Sequence, residues 1–181
     1  QANSRVYSLL SNYRDHPPRI APSTHKIVRD IQHSSIHKGE NRKLKLTSKT
    51  YSLENTDTAI SFCLEKGWTD GLPVIPPTPD KVSQFLEYTN RSPSEIVGHE
   101  PVKGKPVSIE KIAINSVMAG CLPEYFPVVL TAIEAVLEPE FNLHGITAST
   151  MGAAVLTVIS GPVVKTLGLN GGISLFGPGH R

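Results

Sequence analysis

The sequence predicts an α/β domain that is helix-rich, with a small buried sheet and an extended basic arm at its N-terminal side. Three features predict it. Apolar runs introduced by helix-capping residues recur through residues 51–137. One near-continuous apolar run, "AAVLTVIS" at 153–160, has the composition of a strand buried on both faces. Charge is unevenly divided: residues 1–50 hold ten Lys/Arg against three Asp/Glu, whereas residues 51–181 hold eight against thirteen. The arm is therefore taken as 1–50 and the body as 51–181.

Within the arm, "DHPPRIAPST" carries too many prolines for a regular element. A short helix is expected after Ser23 or Thr24, with His33 and His37 at i, i+4 spacing on its polar side. That spacing suits either a metal pair or two solvated histidines. Residues 43–53 alternate enough to suggest an edge strand.

In the body, "NTDTAISFCLEKG" reads as an amphipathic helix closing at Gly67, with Cys63 as a small buried apolar residue. Asp70-Gly71 makes a turn, and Pro73, Pro76, Pro77 and Pro79 keep the next stretch extended. Thr78 caps a helix to about Tyr88, with Pro79 at its first position. Ser92 and Glu95 match a capping box for a short helix ending at Gly98. Ser108 caps a helix that stops at Gly120, and Pro123 opens another that runs to about Leu137. This last helix is apolar over most of its circumference and is expected to be central. Pro162 starts a short helix after the 153–160 strand. The other strand candidate is "ISLF" at 173–176. From 141 to 181 the only Lys, Arg, Asp or Glu residues are Lys165 and Arg181. This glycine-rich close predicts a body that is incomplete alone, its sheet finished by another chain or by further sequence.

Composition narrows the partners. The basic arm lacks interleaved aromatics and any nucleic-acid module motif, so acidic protein surface is its expected contact rather than nucleic acid. Two cysteines make no disulfide framework and point to a reducing, cytoplasmic setting. Residues 145–164 are uncharged, but Gly145, Gly152, Gly161, Pro162 and five Ser/Thr argue for a protein core rather than a membrane span.

Three clusters carry candidate chemistry. Cys121 lies between a helix end and a helix start, where the N-terminal dipole favours a thiolate. Glu124 is placed to move a proton and Tyr125 to give a hydrogen bond; packing at a tight corner is the competing role for Cys121. His144 precedes Gly145, Thr147, Ser149 and Thr150, and serves as general base, metal ligand or structural residue. Cys121 and His144 together could hold a transition metal. Asn170, Gly171 and Gly172, with the later Gly-Pro-Gly at 177–179, offer backbone N–H groups to an anionic ligand, and Trp68 and Asp70 are further ligand contacts or turn residues. No HExxH, CxxC or GxSxG motif occurs.

"GWTDGLPVIPPTPDKV", "EKIAINSVMAGCLPEYFPVVLTAIEAVL", "FNLHGITAST" and "NGGISLFGPGHR", in this order and spacing, resemble the UGSC-type bacterial (seleno)protein family over about residues 65–181. The resemblance implies that these four are the site segments; proteins of that type resemble redox or thiol-dependent enzymes through a cysteine or selenocysteine motif. The Cys-Gly-Ser-Cys motif is absent from this chain, which implies that a companion polypeptide carries the remainder. The leading expectation is thus a subunit of a multi-chain enzyme, a hydrolase or lyase acting on a small polar molecule by hydrolysis, hydration or elimination. Its site centres on Cys121, with Glu124 or His144 moving protons. The alternative is a non-catalytic binding or assembly subunit whose arm wraps a partner chain.

Overall fold

A computed structural model describes residues 45–148, 150 and 154–172. The expected arm helix, the His33/His37 pair, Ser149, "ISLF" at 173–176 and the Gly-Pro-Gly at 177–179 lie outside these residues. The body is helix-rich with a small two-stranded antiparallel sheet, so the α/β class holds.

The capping chemistry forms where the sequence places it. Helix α1 (Thr56–Glu65) is capped by Asn55, whose Oδ1 accepts the Thr58 N–H at 2.9 Å. Its Cys63 is buried, as expected. Helix α2 (Pro79–Leu86) is capped by Thr78 and buries Val82, Phe85 and Leu86, an i, i+3, i+4 stripe. Strands β1 (Ile96–His99) and β2 (Pro106–Ser108) pair antiparallel, Gly98 facing Val107. The loop between them is closed by the Glu100 carboxylate, which accepts the Lys103 and Val102 N–H groups at 2.8 Å each. Helix α3 (Ile109–Met118) follows β2 directly. A 3-10 turn (Pro123–Tyr125) leads into α4 (Phe126–Leu137), a second 3-10 turn (Pro139–Phe141) follows, and short helices α5 (Leu143–Thr147) and α6 (Pro162–Thr166) complete the described elements.

The core lies where α2, α3 and α4 meet. Ile109, Ile112, Ala113 and Val117 of α3 pack with Phe126 and Leu130 of α4 and with the α2 stripe. Phe85 and Phe126 meet edge-on, ring centroids 6.0 Å apart. Phe126 is fully buried, and truncating it to alanine costs about 3–5 kcal/mol. Gly98 brings the hairpin onto α4 so closely that a Cβ there would sit 3.0 Å from Leu137 Cδ1.

The start of α3 is satisfied at every N–H of its first turn. Ile109 N donates to Glu95 O at 3.0 Å and Glu110 N to Pro93 O at 2.9 Å. Lys111 N donates to Ser108 Oγ at 3.3 Å. Glu110 itself is buried to 1% exposure. Its carboxylate accepts from Thr47 N at 2.9 Å, Thr47 Oγ1 at 2.7 Å and Ser48 N at 2.9 Å. Residues 46–48, which sequence assigned to the arm, are thereby held on the body, with Leu46 against the core.

Four expectations are corrected. The capping box at Ser92 does not start a helix: Glu95 Oε1 is taken by Arg91 Nε and Nη2 at 3.1 and 2.9 Å, and Arg91 Nη1 reaches Glu134 of α4. With its box acid engaged, residues 92–95 form a turn and 96–99 pair as a strand. Residues 45–53 form no strand, because the N–H groups of 47 and 48 are spent on Glu110. Helix α4 is less buried than a central helix: only Phe126 and Leu130 are buried, and the rest is half-buried except the exposed Ala135. The described part of the 153–160 run, 154–160, is irregular and exposed, with Val155 at 49% and Leu156 at 45%. Its apolarity suits burial, but no described strand lies beside it to form a ladder.

Burial raises the Glu110 pKa, and the hydrogen bonds from Ser48 and Thr47 more than offset it, holding the carboxyl below its ordinary range. A depressed acid stabilises the fold above its unfolded pKa, and that contribution is lost as pH falls through the folded value. Glu110→Ala is expected to destabilise by about 2 kcal/mol. In Glu110→Gln, acid melting between about pH 4.5 and lower values should flatten relative to wild type. Thermal melts across this range check both; identical pH profiles would contradict them.

Candidate functional site

Cys121 owes its position to the way α3 ends. Ala119 is the C-cap, and Gly120 follows with φ +78°. Gly120 N donates to Val117 O at 2.9 Å and Cys121 N to Ser116 O at 3.0 Å. These are the two bonds of a Schellman motif, whose next residue customarily packs back on the helix. Cys121 fills that station, half-buried against the core.

The same closure recurs after α1, where Gly67 N reaches Leu64 O and Trp68 N reaches Cys63 O, both at 2.9 Å. Trp68 therefore occupies the position that Cys121 occupies after α3. Its ring meets Tyr51 and Phe62 at centroid distances of 5.9 and 5.8 Å. Asp70 Oδ1 accepts from Leu72 N at 3.4 Å and Thr69 Oγ1 donates to Leu72 O at 2.8 Å, so this stretch is a side-chain-braced turn.

Beside Cys121 lies an open groove of about 380 Å³ between β2, α3 and α4. Pro106, Val107, Ile112, Ala119, Val129 and Ile133 make it apolar; Lys111, Asn115, Ser116 and Cys121 complete the lining. Ser116 Oγ is committed to Ile112 O at 2.9 Å and Asn115 Nδ2 to Lys111 O at 2.8 Å.

Among the described residues that the sequence singles out, only Cys121 lines this groove. Glu124 and Tyr125 sit in the half-buried 3-10 turn, outside the lining. His144 and Thr147 are exposed on α5, with Thr147 Oγ1 donating to Leu143 O at 2.8 Å. Gly145 belongs to a close approach: a Cβ there would meet Asn142 Nδ2 at 2.4 Å. Thr150, Gly171 and Gly172 are exposed, and Asn170 Oδ1 accepts from Gly172 N at 3.2 Å. Among the described residues no three His, Cys, Asp or Glu side chains gather where they could hold a metal. No helix among them is long and apolar enough to cross a membrane.

The sequence missed Lys111 and Asn115, which read as an ordinary polar helix face, and Val129 and Ile133, which read as core. Their convergence depends on how α3 and α4 cross, for which no local motif exists.

The thiol's environment opposes the expected activation. Burial pushes the Cys121 pKa up.

Comparison with protein-family models, curated proteins and solved structures returned no match to this chain.

Cys121 is expected to alkylate faster than Cys63, which is 4% exposed, yet slower at neutral pH than a free thiol, with an inflection above about pH 8.5. Mass-spectrometric labelling of the folded chain reads this; an inflection below neutral would contradict it. Gly120→Ala should destabilise by about 1 kcal/mol, since the Schellman motif needs the left-handed backbone there. Denaturant titration against wild type measures it, and an unchanged midpoint would count against the motif's role.

Proposed function

We propose that this chain is a binding and assembly subunit. The groove beside Cys121 receives the apolar part of a ligand, and the exposed apolar run at 154–160 rests against a companion chain. The observation that supports this most is the groove itself: its wall is apolar, it is open, and the cysteine in it is pushed towards the neutral thiol. A small polar substrate would leave most of that apolar wall unused. Glu124 and His144, the proton carriers of the catalytic reading, lie outside its lining. The similarity of 65–181 to UGSC-type proteins enters this proposal as a guide to where the site segments fall.

A second reading is favoured by one fact: Cys121 is half-buried at the wall of a cavity, which suits a nucleophile. In that reading a partner chain supplies the base and the chemistry is hydrolytic or eliminative.

Titration with an environment-sensitive apolar fluorophore separates the two. Under the binding reading, Cys121→Ser and Cys121→Ala keep affinity within about twofold. Val129→Trp, which fills the groove, abolishes it while the melt stays cooperative. Unchanged binding in Val129→Trp overturns the binding reading. Loss of a native activity in Cys121→Ser, with fluorophore binding intact, establishes the catalytic one.

A further inference from the structure

We propose that the groove's ligand is an anionic amphiphile, a carboxylate carrying an apolar chain, with the Lys111 ammonium as its counter-charge. This rests on the binding reading above and adds the chemical class of the ligand.

The lining supplies both halves of such a molecule. Ile112, Val129 and Ile133 present the apolar side, where each buried methylene of a ligand gains by leaving water. The polar side is narrow. The Ser116 hydroxyl proton and one N–H of the Asn115 amide are spent on helix carbonyls. The Cys121 thiol is held towards its neutral form by burial. Lys111 is the one charged residue among those that line the groove. Among the described residues no carboxylate forms an ion pair with it. Its sequence neighbour Glu110 is turned onto Thr47 and Ser48.

The hairpin loop that leads into Pro106, a wall residue, carries the exposed Lys103 and Lys105, neither of which lines the groove. The acid of that loop, Glu100, is held in its charged form by the amides of Lys103 and Val102 and by those two lysines, which it offsets. A neutral apolar ligand would leave the ammonium unused. A cationic one would be repelled, and inorganic phosphate would leave the apolar wall unused. The volume, about 380 Å³, is that of a small-molecule site rather than of a groove for a partner helix.

The probes are octanoate, octanol and octylamine, titrated into the full chain at low salt. Chemical-shift changes and the slowing of Cys121 alkylation report occupancy. Octanoate should bind about two- to fivefold tighter than octanol, the scale of an exposed ion pair, with octylamine weakest. In Lys111→Gln, octanoate and octanol should bind alike, with octanol unchanged from wild type. Raised salt should shrink the octanoate preference in the same way. Equal binding of octanoate and octanol to wild type overturns the inference and leaves the groove reading standing. A preference that survives in Lys111→Gln also overturns it. If none of the three binds, the inference and the groove reading fall together. Lys111 is exposed, so Lys111→Gln should melt like wild type, and the melt verifies that its effect is local.

Discussion

The buried carboxylate of Glu110 constrains this body more than any other single group. A charge at 1% exposure is costly unless hydrogen bonds replace its water. Here three donors from Thr47 and Ser48 replace it, and they lie more than sixty positions away in sequence. The same first turn receives the carbonyls of Pro93 and Glu95. One helix start thus gathers the entering chain and the turn before the hairpin. Once α3 is anchored there, its apolar face meets α2 and α4 around Phe126, and its other flank, with β2, forms the groove.

The two ends of α3 divide the work. The N-terminal end is closed by long-range bonds, and the C-terminal end by a local motif that needs only Gly120 and a residue able to pack behind it. Cys121 suits that station because a thiol is small, apolar and tolerant of partial burial. Trp68 stands at the equivalent place after α1 and joins the Tyr51–Phe62 aromatic contact. Two residues that look chemically promising in the sequence are thus also the residues that helix closure requires. This weighs towards a structural Cys121 that helps shape a binding surface.

What was legible in the sequence follows from range. Asn55, Thr78 and Ser108 act on N–H groups three residues on, and Gly67 and Gly120 on carbonyls just behind them, so local pattern sufficed for these helices. The Ser92–Glu95 box was misleading because Arg91, itself held by Glu134 of α4, takes the acid. The 154–160 run was misleading for a related reason: apolarity records suitability for burial, whereas a strand also needs a neighbour. For the site, Cys121 was visible as a chemically distinct residue between two helices. Lys111, Asn115, Val129 and Ile133 were not, since only the packing of α3 against α4 brings them to one groove.

The anchoring role of Glu110 can be read directly at its partners. Native-state hydrogen exchange at the Thr47 and Ser48 amides, followed residue by residue, reports whether these two N–H groups are held. Thr47 is exposed, so without the carboxylate its amide would exchange nearly as fast as in an unfolded chain. The structure predicts protection at both amides in wild type, and loss of that protection in Glu110→Ala before the α3 amides of Ile112 and Ala113 open. Unprotected Thr47 and Ser48 amides in the wild-type chain would contradict it.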